Sequence, residues 1–213
     1  MLRQIAAKWR LLLTIGLTFS LLIMVCLISG CDEEGLPFVV SVHPLYLESD
    51  NESDPLLVGN WVDEEDNVTF VFEPAADCDY KLTVIEKEGD KSAKGEFDAH
   101  LVRLGGTWFL DILPTEMQGG SDFYRTHFIR VHTMARVSLK HDELQMAFLS
   151  TGWLKQQFTD KTVDLNHEVI EGTPFLTAPT EELQSLVDRY SHDEEAFPEP
   201  LLLHRVEGQK EEE

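Results

Sequence analysis

Hydrophobic and polar residues alternate with a period of two through the middle of the chain. Between Gly95 and Leu104, for example, positions 97, 99 and 101 are apolar and positions 96, 98 and 100 are polar, as on the two faces of a strand. Similar segments, rich in β-branched and aromatic residues, are separated by turn residues. They predict strands at Leu57–Val62, Val68–Glu73, Tyr80–Glu86, Gly95–Leu104, Trp108–Leu113, Phe123–Val131, Met134–Lys140 and Glu143–Leu149.

About eight strands in succession, joined by short turns, form an up-and-down antiparallel meander. We therefore expect a mainly β fold that closes into a barrel. One or two helices follow the strands. Ser150 to Phe158 is a candidate for a short helix, and a clearer one follows Pro179, with Thr180 as its cap and apolar residues on one face.

The pattern at the start of the chain is different. Residues 11–27 carry no charge and follow three basic residues. Their length is near the upper limit for the apolar part of a signal peptide and just short of a comfortable membrane span. The apolar run ends at Ile28-Ser29-Gly30-Cys31, and acidic residues follow at once. This charge distribution places the rest of the chain outside the cytoplasm.

The boundary at Cys31 resembles that of a bacterial lipoprotein signal peptide. The resemblance implies removal of residues 1–30 and attachment of lipid to Cys31, so that the protein is anchored in the membrane of the bacterial cell envelope. An uncleaved single-pass anchor is the alternative. We divide the remainder into a lipidated N-terminus, tether and extended segment (31–55), a β domain with a C-terminal helix (56–190), and a flexible acidic tail (191–213).

Gly59-Asn60-Trp61 stands at the start of the first predicted strand. This opening resembles the G-x-W motif of lipocalin-like barrels, and the wider pattern is similar to uncharacterised bacterial lipoproteins. In the lipocalin-like family the glycine allows close backbone approach and the tryptophan plugs the closed end of the barrel. The resemblance therefore implies structural roles for Gly59 and Trp61, and a cavity for a small apolar ligand.

Composition narrows the choice of partners. The chain has 39 acidic and 17 basic residues, and its formal net charge is -22. Nucleic acid and anionic lipid headgroups are poor partners for such a chain, because both require clustered Lys and Arg. After residue 31 the only cysteine is Cys78, so we expect no internal disulfide.

Common catalytic and nucleotide-binding motifs are missing from the sequence. We find no G-x-S-x-G, H-E-x-x-H, P-loop or dinucleotide-binding glycine pattern. No catalytic residue, metal site or cofactor is therefore predicted. Glu96, Asp98 and His100 could share a metal, but their alternation with apolar residues favours a solvated outer face.

Three polar residues share one face of the predicted strands around position 132. Arg130, His132 and Arg136 would form an anion-binding floor if that face lined the barrel interior, and an ordinary polar surface if it faced water. We favour the polar surface, because the apolar residues on the opposite face have the character of a core.

Two classes of function stay open after these arguments. The first is a non-enzymatic binding or envelope-interaction module whose partner is a small apolar ligand or an envelope protein. The alternative is an enzyme of unfamiliar type that uses carboxylates and histidines such as Asp111, His127 and His132. We favour the first class, because the sequence shows neither a recognisable nucleophile nor metal-ligand spacing.

Overall fold

The computed structural model describes residues 38–64, 67–76, 79–115 and 121–206. The predicted signal peptide, Cys31, Cys78 and residues 207–213 lie outside these ranges. All described residues belong to one compact unit. Within the described ranges, no helix is both long enough and apolar enough to cross a bilayer.

The fold is mainly β with a few helices, which confirms the predicted fold class. The described strands are β1 (Val40–Ser41), β2 (Asn51–Glu52), β3 (Gly59–Asp63), β4 (Val68–Pro74), β5 (Tyr80–Glu88), β6 (Lys91–Leu104), β7 (Thr107–Pro114), β8 (His132–Leu139), β9 (Glu143–Phe148), β10 (His167–Ile170), β11 (Thr173–Leu176) and β12 (Leu201–Val206). The α-helices are α1 (Asp122–Arg125), α2 (Thr151–Asp160) and α3 (Thr180–Arg189). Short 3-10 helices cover Glu48–Asp50 and Pro55–Leu57.

Eight of these strands form a closed antiparallel barrel. From β3 to β9 each strand pairs with the next one in the chain. The barrel is closed by β12, which pairs with β3 on one side and with β9 on the other. We call the end where β7 and β9 finish and β8 begins the upper end, and the opposite one the lower end.

Large apolar side chains fill the barrel interior. Trp61, Phe72, Leu82, Leu110, Leu144, Met146 and Leu203 are all at most 1% exposed. The space left between Leu57, Leu101, Trp108 and Leu144 has a volume of about 10 Å³. That is room for about one water molecule, so this part of the interior is a packed core.

A second apolar core lies on the outside of the barrel. Alternate side chains of the barrel strands, including Val102, Phe109 and Met134, pack there against residues of α2, α3 and the C-terminal segment. Both faces of β7 are consequently buried, and all four residues from Phe109 to Ile112 are at most 5% exposed. Strands buried on both faces are apolar almost throughout, which makes the one acidic residue of β7, Asp111, conspicuous.

Residues 42–50, which we call the strap, connect this outer layer to the barrel. Leu45 is fully buried in the outer core. The Thr180 hydroxyl donates to the Pro44 carbonyl (2.8 Å), and the Gln184 amide donates to the Leu45 carbonyl (2.9 Å). Because Thr180 makes this contact, it does not cap α3 as expected: the cap position is Pro179, which provides no side-chain bond.

The prediction of a strand from Phe123 to Val131 is wrong. The chain forms α1 there, followed by irregular structure, and β8 starts only at His132. The Ser121 hydroxyl caps α1 by accepting from the Tyr124 amide. Aromatic contacts then link residues four apart, Phe123 with His127 and Tyr124 with Phe128. Contacts between residues four apart are typical of a helix. The composition of this segment had predicted a strand instead.

The interpretation of residues 191–213 as a flexible tail is wrong for residues 191–206. Ala196 and Phe197 are buried, and the Phe197 ring contacts Phe109 at a centroid distance of 5.8 Å. Residues 201–206 form β12, one of the eight strands of the barrel wall. The proposed boundaries 56–190 are therefore too narrow, since the folded unit includes both the strap and this segment.

Candidate functional site

Acidic and histidine side chains alternate across the outer face of the barrel, beneath the strap. Asp79 precedes β5, His100 lies on β6 directly opposite Asp111 on β7, and His132 begins β8. We call these four residues the Asp-His row. Asp111 is fully buried and each histidine is 7% exposed. The row is thus an unusually polar strip within an apolar core.

Asp111 uses both of its carboxylate oxygens. Its Oδ2 accepts a hydrogen bond from the Leu45 amide (2.7 Å), and its Oδ1 lies 2.6 Å from Nδ1 of His132. A contact this short between a carboxyl oxygen and a ring nitrogen is a hydrogen bond that shares one proton between Asp111 and His132. Asp111 thereby joins β7, β8 and the strap at a single buried point.

His100 is packed between an acidic and an aromatic side chain. Its Nδ1 lies 2.6 Å from Oδ1 of Asp79, an ion-pair distance, although the angles are not those of a hydrogen bond. The Tyr46 ring stacks on the imidazole at a centroid distance of 3.9 Å. The expectation that His100 belongs to a solvated face with Glu96 and Asp98 is therefore wrong for His100, because the strap covers it.

The environment of Tyr46 makes its phenol hard to ionise. Burial raises the pKa of Tyr46 to about 12, and the nearby negative charges of Asp111, Asp79, Asp98 and Glu48 add to the effect. A phenolate at this position would lose hydration and face several carboxylates.

We expect Tyr46 to titrate about two pH units later than an exposed tyrosine. An alkaline titration of tyrosine absorbance should show a separate step near pH 12. That step should be absent from Tyr46→Phe. Since the native pKa lies above the unfolded value, the stabilising contribution is complete below pH 10 and is lost as pH rises through 12. A Tyr46→Phe curve identical to the wild type would contradict this assignment.

The predicted trio of Arg130, His132 and Arg136 does not act as one anion-binding floor. Arg130 lies before β8, so it lacks the strand register on which the hypothesis depended, and its guanidinium donates to the Pro114 carbonyl (3.2 Å). His132 contacts Asp111. Arg136 donates to the Ser191 carbonyl (2.6 Å) and the Phe197 carbonyl (3.3 Å). Arg136 and His132 therefore face the outer layer of the protein.

Part of the enzyme alternative can be tested against the geometry. Asp111 and His132 are in contact, whereas His127 is exposed and its Nδ1 is bonded to the Phe123 carbonyl (2.7 Å). Ser41 pairs with His132 across β1 and β8, so an acid, a base and a hydroxyl lie on neighbouring strands. Yet Ser41 is fully buried and its hydroxyl donates to the Leu176 carbonyl. A nucleophile must reach its substrate, so these contacts favour a structural role for the set.

An apolar groove opens at the upper end of the barrel. Its volume is about 460 Å³, and it is lined by Phe38, Met146, Phe148, Leu149, Ser150, Pro198, Glu199, Pro200 and Leu201. We call it the Phe38 groove. The Phe38 and Phe148 rings are in contact at a centroid distance of 4.3 Å, and Phe38 is 40% exposed.

The groove results from unequal strand lengths. β12 begins at Leu201, opposite Met146, whereas β9 continues to Phe148. Pro198 and Pro200 precede β12, and proline cannot donate the hydrogen bonds that would extend the ladder. The last residues of β9 therefore border a notch. Sequence reasoning missed this site because its lining comes from three distant segments, none of which carries a motif.

A further groove of about 440 Å³ lies between the segment 162–166 and α3. Its rim combines Asp164 and Glu182 with Asn166, Ser185 and Arg189. This mixture of charges favours no particular ligand class. Among the described residues, no three His, Cys, Asp or Glu side chains are arranged to hold a metal ion.

Comparison with known proteins leaves the site without a precedent. No protein-family model, no curated protein and no solved structure matches this chain. The features that bear on function are therefore the geometry of the described residues and the N-terminal sequence pattern.

Proposed function

We propose that this protein is a lipid-anchored module of the bacterial cell envelope, which binds an apolar or amphipathic ligand in the Phe38 groove and catalyses no reaction. The observation that supports the binding role most directly is the groove itself. Its lining is mostly aromatic, aliphatic and proline side chains, with Ser150 and Glu199 as the polar members. Apolar pockets with a few polar groups are the usual form of small-molecule sites.

The groove suits an apolar ligand better than the barrel interior between Leu57, Leu101 and Trp108 does. In that interior only about 10 Å³ is left between the side chains, whereas the groove has about 460 Å³. Two prolines and the contact between Phe38 and Phe148 hold its walls before any ligand arrives. Such preorganisation reduces the entropy lost on binding. The resemblance to lipocalin-like barrels therefore remains a proposal. We place the ligand in the groove at the upper end of the barrel and not in the barrel interior.

The anchor is supported by the sequence pattern around Cys31. That residue lies seven positions before Phe38, which itself lines the groove. Lipidation at Cys31 would therefore hold the groove close to a membrane outside the cytoplasm. Lipid-like molecules and the apolar segments of envelope proteins are abundant there.

We expect a soluble form of the chain that begins at residue 32 to bind a fluorescent fatty acid such as dansyl-undecanoic acid. Phe38→Ala should weaken this binding, because it removes the partner ring of Phe148. Val169→Ala truncates an apolar side chain that is 62% exposed on β10, away from both the groove lining and residues 121–131, and serves as the matched control. Fluorescence titration of the three proteins provides the measurement.

Equal affinity of the Phe38→Ala and Val169→Ala proteins would exclude the groove as the binding site. The anchor is tested separately, by intact mass of the protein purified from bacterial membranes. A species that retains residues 1–30 and carries no acyl mass would refute lipidation at Cys31.

A further inference from the structure

We propose that residues 121–131, in the loop between β7 and β8, dock on the surface of the membrane in which the protein is anchored. The part of this loop that the structure describes before β8 is residues 121–131. The inference rests on the proposed anchoring and adds a second, non-covalent contact with the lipid. The contact is made by aromatic and aliphatic side chains at the lipid-water interface.

The loop carries the densest group of exposed apolar side chains among the described residues. Phe123 is 78% exposed, Tyr124 54%, Phe128 48% and Ile129 79%. These four residues lie within seven positions of one another. Exposed apolar residues scattered singly need no explanation, but a contiguous patch marks a surface that is covered in the working protein.

Residues 121–131 are less acidic than the chain as a whole, and the complete loop from Thr115 to Val131, which also includes Glu116, has no formal net charge. Residues 121–131 contain two arginines, Arg125 and Arg130, and one acidic residue, Asp122. The rest of the chain is strongly acidic, since the total is -22. A segment that lacks the negative charge of the rest of the chain and exposes aromatic rings has a composition suited to an interfacial membrane contact. The repulsion expected from net charge applies to the remainder of the surface.

Several polar groups of residues 121–131 are bonded within the segment itself. The amides of residues 125–128 donate to carbonyls three or four positions earlier. His127 bonds to the Phe123 carbonyl, and Arg125 pairs with Asp122. Unsatisfied backbone groups are costly near hydrocarbon. These bonds lower the cost of bringing the backbone of residues 125–128 close to lipid.

The position of the loop is compatible with an anchor at Cys31. Pro114 and His132, which bound the loop, lie at the upper end of the barrel, and so does the Phe38 groove. The seven positions between Cys31 and Phe38 span at most about 25 Å when fully extended. The anchor would thus keep the upper end of the barrel within reach of the bilayer. The exposed aromatic rings lie at this same end, so we expect this end to contact the lipid.

The test uses the full lipidated protein, purified from membranes and reconstituted in vesicles of phosphatidylethanolamine and phosphatidylglycerol with brominated acyl chains. A tryptophan is placed in the loop by Phe123→Trp. Its matched control is Val169→Trp, at a 62% exposed apolar position on β10, the edge strand of the covering layer. Compared with wild-type protein, we expect a blue shift and strong loss of fluorescence for the first variant and neither for the second.

The outcomes separate the docking inference from the proposed anchor. An acyl mass on Cys31 without bromolipid quenching of the introduced tryptophan would overturn docking and leave the anchor intact. Quenching without an acyl mass would refute lipid attachment and support docking. Protection of the tryptophan from aqueous iodide without bromolipid quenching would assign the loop to a protein contact or a second copy, and would also overturn docking on lipid.

Discussion

Replacing Trp61 by alanine is expected to lower the free energy of unfolding by about 3–5 kcal/mol, the usual cost of truncating a buried aromatic residue. The side chain is fully buried, and its Nε1 donates to the Leu57 carbonyl (2.8 Å). The Arg205 guanidinium lies over the ring, with Cζ 4.2 Å from the centroid. Arg205 in turn donates to the carbonyls of Leu56 and Val58. Truncation to alanine would remove both the donor to the Leu57 carbonyl and the ring over which the Arg205 guanidinium lies.

Chemical denaturation of Trp61→Ala and Trp61→Phe measures this effect. The phenylalanine variant keeps most of the volume and loses only the donor, so it should cost about 1–3 kcal/mol, which reflects the carbonyl left without a partner. It also keeps the prediction testable if the alanine variant does not fold. An alanine variant with an unchanged unfolding midpoint would exclude Trp61 as a main element of the barrel core.

Removal of the Asp111 carboxylate is the second change with a large expected effect. Asp111→Ala leaves the Leu45 amide and Nδ1 of His132 without their hydrogen-bond partner. Each buried group that loses its partner costs about 1–3 kcal/mol, so we expect a loss of about 2–6 kcal/mol for the two groups together. The strap should also loosen, because one of its main bonds to the barrel is gone.

Two measurements test the role of Asp111. Denaturation gives the total loss, and hydrogen exchange should show faster exchange of the Leu45 amide. Asp98→Ala is the matched control, because Asp98 pairs with Lys81 at a partly exposed site, where an ion pair contributes little. If Asp111→Ala were as stable as Asp98→Ala, the Asp-His row would have no structural role.

The period-two pattern predicted seven of the eight barrel strands to within a few residues, because alternation follows directly from burial of one face. It failed at residues 123–131, where a short helix places aromatic residues four apart. It also missed β12. There Leu203 is fully buried, but the strand is short and follows two prolines, and only its partners β3 and β9 identify it as part of the sheet.

The Asp-His row and the Phe38 groove were harder to predict than the strands. Both depend on which residues of neighbouring strands are paired with one another. Parity placed His132 and Arg136 correctly on one face of β8, yet parity cannot show that this face is covered by a second layer. The contact between Asp111 and His132 requires the alignment of β7 with β8. The Phe38 groove requires the unequal ends of β9 and β12. Both are properties of strand pairing that composition and spacing do not contain.

Strand β12, which closes the barrel, comes after the other seven barrel strands along the chain. This order affects how the chain folds. Until residues 201–206 are available, β3 and β9 each present an unpaired edge, and exposed edges invite pairing between molecules. Contacts between positions about 145 apart must then form to complete the fold, and such non-local contacts slow folding. A chain truncated before Leu201 should therefore be an aggregation-prone open sheet.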